Sequence, residues 1–301
     1  MDKAVKINGK TVELTNLQKI YWPKEKYSKG ELIEYYRLVS KYILPYIKNR
    51  PHSLNRFPNG INGKSFYQKD VKDKVADWVT TEEVYSESND ENINYYVCTD
   101  EASLLYMVNL GCIEINPWFS TTKKINNPDY LAIDLDPLNI SFKKVVETAF
   151  AVKEILDKAK AKGYCKTSGA TGVHIYIPLN KKYDFEIARE FAHVIAELTN
   201  ELVPDFTSIE RSPAKRKRKV YIDYLQNRTG QTLAAPYSVR PRAKAPVSTP
   251  LEWKELSSIE APEEFTMKNI FNRLKKKGDL FKGVLGKGIN IENCLKNLGV
   301  Q

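Results

Sequence analysis

Tyr130-Leu131-Ala132-Ile133-Asp134-Leu135-Asp136-Pro137 is the stretch on which the reading of this chain turns. It alternates strictly, with Leu131, Ile133 and Leu135 on one face and Ala132, Asp134 and Asp136 on the other, the period of two expected of a half-buried strand. Downstream, Ser141 is placed to cap a helix whose stripe is Val145, Ala149, Val152, Leu156 and Ala159, and Gly163 is placed to end it. A strand-like YCKTS (164–168) follows, then a turn at GATG (169–172). Next comes a second alternating strand, in which Val173, Ile175 and Ile177 oppose Gly172, His174 and Tyr176. Asp184 opens a further helix with Ile187, Phe191, Val194, Ile195 and Leu198 on its apolar face. VYIDYL (220–225) is the last strand, with Val220, Ile222 and Tyr224 opposing Tyr221, Asp223 and Leu225.

Strand, helix, strand, turn, strand, helix, strand is the order of the split βαβ, ferredoxin-like unit. Its first strand is central, flanked by the third and fourth. The pattern therefore predicts that Asp134 and Asp136, His174 and Asp223 converge on one region of a sheet. Three carboxylates on neighbouring strands are hard oxygen ligands suited to Mg²⁺ or Mn²⁺, the arrangement that two-metal phosphoryl transfer uses. Without a cation they would repel one another inside an apolar strand. Ser168, Gly169, Thr171 and Gly172 form a small turn whose backbone N–H groups are expected to approach phosphate oxygens, with His174 projecting from the same side. The sequence holds no GxxxxGK[ST], so P-loop chemistry is unsupported. His193 lies off its helix's apolar stripe and reads as solvated; His52 follows a proline in a basic loop.

Outward from this core, residues 30–44 read as a helix, with Leu32, Ile33, Tyr36, Val39 and Ile43 at helical spacing and Pro45 after them. Residues 50–120 mix short strand-like runs (SLNRF, KSFYQK, INYYVC) with turns such as PNG, an irregular α+β region. With no repeat and no linker, the expected organisation is one catalytic domain over 1–301. It comprises an N-terminal, substrate-contacting α/β part (1–120) and a palm with its C-terminal extension (121–301).

Among the 301 residues, 47 Lys and Arg against 37 Asp and Glu leave a net charge of +10, which favours a polyanionic partner. The positive charge clusters at Arg211 and Lys215 to Lys219, and again at Lys275 to Lys277, where it is suited to phosphate backbones. Four scattered cysteines without a CxxC pair argue against a disulfide framework or a zinc knuckle and for reduced, partly buried thiols. No apolar run reaches the ~18 residues of a spanning helix and the N-terminus lacks a signal-type apolar stretch. No membrane association and a place in the cell interior are therefore expected.

YLAIDLDP, KTSGATGVHIYIPL (166–179) and VYIDYLQNRTGQTLAAPYSVR (220–240) are preceded by NLQKIYWPKEKYSKGELIEYY (16–36) and RPHSLNRFPNGINGKSFYQK (50–69). Together, over about residues 10 to 260 and in this order, they resemble the polymerase domain of bacterial ligase D, a primase-polymerase of the archaeo-eukaryotic primase superfamily. The resemblance implies an α+β primase-type fold with an RRM-like palm. It also implies a DNA-end-directed nucleotidyltransferase that adds nucleotides, ribonucleotides preferred, to a primer 3′ end during gap filling in non-homologous end joining with Mn²⁺ or Mg²⁺. Carried over by motif, Asp134, Asp136 and Asp223 are catalytic metal ligands, and Ser168, Thr171, Gly172, His174 and Arg240 contact the NTP or dNTP. Asn16, Lys19 and Lys29 fall where the family holds the downstream 5′-phosphate. Arg56, Phe66, Tyr67 and Lys69 lie in the segment that handles template and gap, Lys69 being assigned to the nucleotide. Arg216 matches a basic position in a loop that positions the primer end. In EINPW (114–118), Asn116 stands where the family pattern has histidine.

The implied partners are gapped or broken DNA carrying a 5′-phosphate, a DNA ligase and a Ku-type end-binding protein. No KxDG ligase signature occurs, so a stand-alone polymerase subunit or an excised domain is expected. The carboxylates also suit a de novo primase or a metal nuclease, although a nuclease leaves the turn and Arg240 unexplained. A non-catalytic RRM-like binder would carry aromatics on the sheet, where this sequence carries aspartates.

Overall fold

Hydrogen bonding between strands reproduces the order that the alternation predicts. The structure is a computed structural model and describes residues 2–86 and 90–300. The chain divides into two compact units, Met1–Lys123 with Thr232–Val247 and Thr266–Lys268, and Lys124–Gln231 with Ser248–Phe265 and Asn269–Gln301.

In the first unit, β1 (Lys3–Ile7) and β2 (Lys10–Leu14) form a hairpin, and β3 (Ile20–Trp22) pairs with β4 (Tyr27–Ser28). Ser28 and Glu31 make a reciprocal capping box that starts α1 (Lys29–Ile47). The helix runs two residues past Pro45, beyond the expected end at 44. Buried Tyr46 and Ile47 hold its last turn, and Lys48 N–H still reaches Leu44 O at 2.9 Å. β5 (Pro51–His52), β6 (Leu54–Arg56), β7 (Phe66–Gln68), β8 (Thr80–Ser86), β9 (Glu91–Val97) and α2 (Glu101–Asn109) complete this unit; the small sheets are ordered β5-β9-β8 and β6-β7. His52 is not on an open loop. It is fully buried in β5, and its Nδ1 lies 2.8 Å from Arg50 O.

The second unit holds β10 (Tyr130–Pro137), α3 (Phe142–Lys158), β11 (Tyr164–Thr167), β12 (Val173–Pro178), α4 (Phe185–Leu202), β13 (Thr207–Ser208), α5 (Pro213–Arg216), β14 (Val220–Asp223), β15 (Pro250–Leu251), α6 (Ile270–Lys277) and α7 (Ile291–Leu298). Its sheet is ordered β13-β14-β10-β12-β11-β15, so β10 is central between the third and fourth strands of the split βαβ unit. One face packs Leu131, Ile133, Leu135, Val173, Ile175, Ile177, Val220 and Ile222 with Val145, Ala149 and Val152 of α3 and Ala188, Phe191 and Ile195 of α4.

Four local readings are corrected. β10 is buried on both faces as far as Leu135 rather than half-buried. α3 ends at Lys158, where Lys160 takes a φ of +54°, and not at Gly163. Ile187 is 40% exposed because α4 buries the line Phe185, Ala188, Ala192, Ile195 and Thr199, about one position round from the expected stripe. β14 stops at Asp223 rather than Leu225. Past that point the Asn227 amide takes over the ladder, donating to Ala132 O and accepting from Ala132 N–H, each at 2.8 Å.

Candidate active site

Antiparallel register sets the site. Asp134 of β10 is the direct partner of His174 of β12 on one side and of Asp223 of β14 on the other, and His174 is in turn the partner of Lys166 of β11. Paired residues share a face. Lys166, His174, Asp134 and Asp223 thus make a row across four strands, all less than 10% exposed. Lys166 Nζ is 2.8 Å from His174 Nδ1, and His174 Nε2 is 3.3 Å from Asp134 Oδ1. Asp223 accepts from Leu225 N–H at 2.8 Å and, on its other oxygen, from the Gln226 amide at 2.9 Å. Burial, and then the Asp223 carboxylate beside it, push the Tyr221 phenol up.

Asp136, two residues along the same face and half-buried, lines with Asp223, Tyr221, Gln226, Arg211 and Arg216 a cleft of about 290 Å³. Arg216 closes α5 in the basic loop; its guanidinium lies 4.0 Å from the Tyr221 ring centroid and donates to Arg211 O at 2.9 Å. The second basic cluster is partly neutralised where Lys277 pairs with Glu252 at 2.9 Å.

The turn before β12 is built differently from expectation. N–H groups of Ala170, Thr171 and Gly172 converge on Ser168 Oγ at 3.0, 3.1 and 2.9 Å. The hydroxyl fills the concavity that an anion's oxygen would take, so what Ser168 has to offer a phosphate is its O–H. Thr171 is exposed at the tip. A Cβ on Gly172 would stand 2.0 Å from Leu135 O, so only glycine lets the turn lie this close to the carboxylate strand.

Donor chemistry fits a divalent cation, since Asp134, Asp136 and Asp223 bring hard oxygens to one sheet face. They are not gathered into a ready cage. Among the described residues no group of three His, Cys, Asp or Glu side chains is close enough to hold an ion, and an ion at Asp223 would compete with Gln226.

Within the first unit, the Arg240 guanidinium lies 3.1 Å from Glu114 Oε2, whose other oxygen accepts from Asn55 at 3.3 Å and Asn116 at 3.1 Å. Asn116 therefore supplies an amide donor to Arg240's carboxylate. Asn16, Lys19 and Lys29 are drawn together by the backbone: Lys19 N–H donates to Asn16 O and Lys29 N–H to Lys19 O. Lys19 Nζ reaches Asn59 Oδ1 at 2.6 Å, while Lys29, 3% exposed, donates to Thr15 O at 2.7 Å. Burial, and then Lys19, lower Lys29 to about 8. Arg56 donates to Leu110 O and Gln68 Oε1 and lies 5.3 Å from the Phe66 ring centroid. Phe66 and Tyr67 are 45% and 65% exposed, and Lys69 is exposed beyond them. All four cysteines are free and buried.

Residues 28–281 match the family model of the LigD primase-polymerase domain. The chain belongs to this family. LigD of Bacillus subtilis, a bifunctional non-homologous end joining protein, is 35% identical over 269 residues, which are 89% of this chain and 43% of that one. The multifunctional LigD of Pseudomonas aeruginosa is 29% identical over 87% of this chain and 31% of its own. The chain thus spans less than half the length of these LigD relatives. The solved polymerase domain of Mycobacterium tuberculosis ligase D in complex with DNA has the same fold, with a TM-score of 0.83 and 24% identity over 92% of this chain and 98% of that domain. The primase-polymerase architecture with a ferredoxin-like palm, expected from the LigD motifs, is the one observed. Lys166, Glu114, Gln226 and Asn227 escaped the sequence reading; only the alternation of YCKTS, which puts Lys166 on the face opposite Cys165, carried a signal.

Proposed function

We propose that this chain is a nucleotidyltransferase that adds nucleotides to the 3′ end of a DNA primer at gaps and broken ends during non-homologous end joining. The observation that carries this reading is the register of Asp134 with Asp223 and His174 on the palm sheet of a LigD-family chain. Asp134, Asp136 and Asp223 would hold Mg²⁺ or Mn²⁺. A bound divalent ion supplies charge neutralisation at the triphosphate and an activated primer hydroxyl. His174, Ser168 and Thr171, with Gly172 holding their turn against the sheet, bind the triphosphate by N–H and O–H donation, and Arg240 and Lys69 add positive charge to it. Asn16, Lys19 and Lys29 receive the downstream 5′-phosphate. Arg56 with exposed Phe66 and Tyr67 stacks on the template, and Arg216 steadies the primer end. Ribonucleotides are preferred, and a DNA ligase and a Ku-type protein are the partners, in the cytoplasm at the nucleoid. The end-joining names of the relatives support this setting. No helix among the described residues is long and apolar enough to cross a membrane.

The test is a gapped duplex with a downstream 5′-phosphate incubated with each NTP and dNTP in Mg²⁺, Mn²⁺ or chelator. Primer extension that requires the metal and is fastest with NTPs is expected; no extension under any condition refutes the reading.

A further inference from the structure

Lys166 is fully buried, yet no motif assigned it a task. Within the second unit its ammonium meets Ser248 Oγ at 2.5 Å and His174 Nδ1 at 2.8 Å, and lies over the Tyr176 ring. The Ser248 hydroxyl donates its own proton to Thr167 O at 2.9 Å, so towards Lys166 its oxygen accepts. An ammonium has donors only. His174 Nδ1 must then accept as well, and the ring's proton sits on Nε2, the nitrogen 3.3 Å from Asp134 Oδ1. Donation runs from Lys166 to His174, and the ring N–H stands on the Asp134 side of the imidazole.

We infer that Lys166 is a positioning residue that holds His174 as the Nε2–H tautomer, so that the nitrogen on the Asp134 side of the ring is always a donor. This rests on the nucleotidyl-transfer reading, in which His174 donates to a phosphate oxygen. Without Lys166 the imidazole would exchange between tautomers. In the wrong one Nε2 presents a lone pair to both the carboxylate and the phosphate, which repels each. The same ammonium supplies positive charge to a row that otherwise carries two carboxylates.

Nitrogen-15 NMR of the full chain, labelled at histidine and free of substrate, reads the tautomer directly. The sequence has only three histidines, and loss of one signal in His174→Ala assigns His174. The expected parent spectrum has His174 protonated on Nε2 and not on Nδ1; the opposite tautomer overturns the inference without any variant. In Lys166→Met, matched to lysine in length, the signals move to a mixture of tautomers. kcat/KM for the NTP falls about tenfold, through KM, as for other partners that orient a functional histidine, while primer affinity stays at the parent's value. In the His174→Ala background, Lys166→Met costs nothing more. An unchanged tautomer in Lys166→Met, or a loss that adds fully to that of His174→Ala, refutes positioning through His174. If the parent extends no primer, nucleotidyl transfer fails as the function, and the tautomer still decides separately what Lys166 does to His174.

Discussion

Asp134 and Asp223 stand opposite one another on neighbouring antiparallel strands, 5% and 9% exposed. Two like charges in such a place are costly unless something positive attends them. Lys166 is one such charge, reached through His174. We propose the pair as ligands of a divalent ion, and this makes the amide variants informative, because they keep shape and remove charge. Asp134→Asn and Asp223→Asn are each expected to lower primer extension roughly a thousandfold, about 4 kcal/mol of transition-state stabilisation. DNA affinity depends on basic residues and should stay close to the parent's. Single-turnover extension beside a filter-binding titration checks both; an Asp134→Asn chain extending at a tenth of the parent rate would remove the residue from the metal site.

Ser168 serves the turn before it serves any nucleotide, since three backbone N–H groups depend on its oxygen. Ser168→Ala removes that acceptor and leaves the Ala170 and Gly172 N–H groups buried without it. The expected cost is about 2 kcal/mol in urea unfolding, together with a lower affinity for NTP as the turn loosens. Ser168→Thr keeps the oxygen and should unfold near the parent's midpoint. Equal midpoints for the alanine variant and the parent would show that the turn does not rest on this hydroxyl.

The palm was legible in the sequence because period-two alternation marks a strand whichever protein it belongs to, and because the split βαβ order dictates which strands touch. Asp134, His174 and Asp223 came together on that basis alone. What escaped needed three-dimensional knowledge. Lys166 opens the KTSGATGVHIYIPL motif without a task of its own, and its meaning appears only when the register sets it beside His174. Glu114 is a single carboxylate until Arg240, far along the chain, is found against it. The turn N–H groups were expected to face a ligand, but a serine oxygen two to four residues away satisfies them first. Ile187 falls on the stripe of large apolar side chains in α4, but the buried line runs through small ones. Ala188, Ala192 and Ala196 instead let the helix approach the sheet.

His52 gives the fold an acid-sensitive point in the first unit. Burial holds it down at about 4 from its ordinary 6.5. Its folded-state value is depressed, so between pH 6.5 and 4 the unfolded chain binds the proton and the folded chain does not. Stability contributed by neutral His52 is therefore complete above about pH 6.5 and is lost as pH falls towards 4, by about 3 kcal/mol at most. Urea unfolding at pH 7 and pH 4.5 should show a smaller loss for His52→Gln than for the parent. Parallel pH profiles for the two proteins would mean that another group carries the acid sensitivity.

Lys29 gives the proposed 5′-phosphate pocket a pH limit on the opposite side of neutrality. Held at about 8 by burial and by Lys19, it is largely an ammonium at pH 7 and largely neutral at pH 9.5. A terminal phosphate, doubly charged above about pH 6, would favour the ammonium and raise Lys29 when bound. Between about pH 8 and that raised value binding takes up a proton, so affinity for the phosphorylated end falls there, by up to about tenfold for each pH unit. DNA ending in a 5′-hydroxyl lacks this contact and should bind with a flatter profile. Competition between the two ends at constant ionic strength is expected to give the largest phosphate preference near pH 7 and little by pH 9.5. Lys29→Met, which keeps length without charge, should bind both ends alike at every pH. If its preference for the phosphorylated end still declines above pH 8 as the parent's does, the titrating group is not Lys29 and the phosphate sits elsewhere.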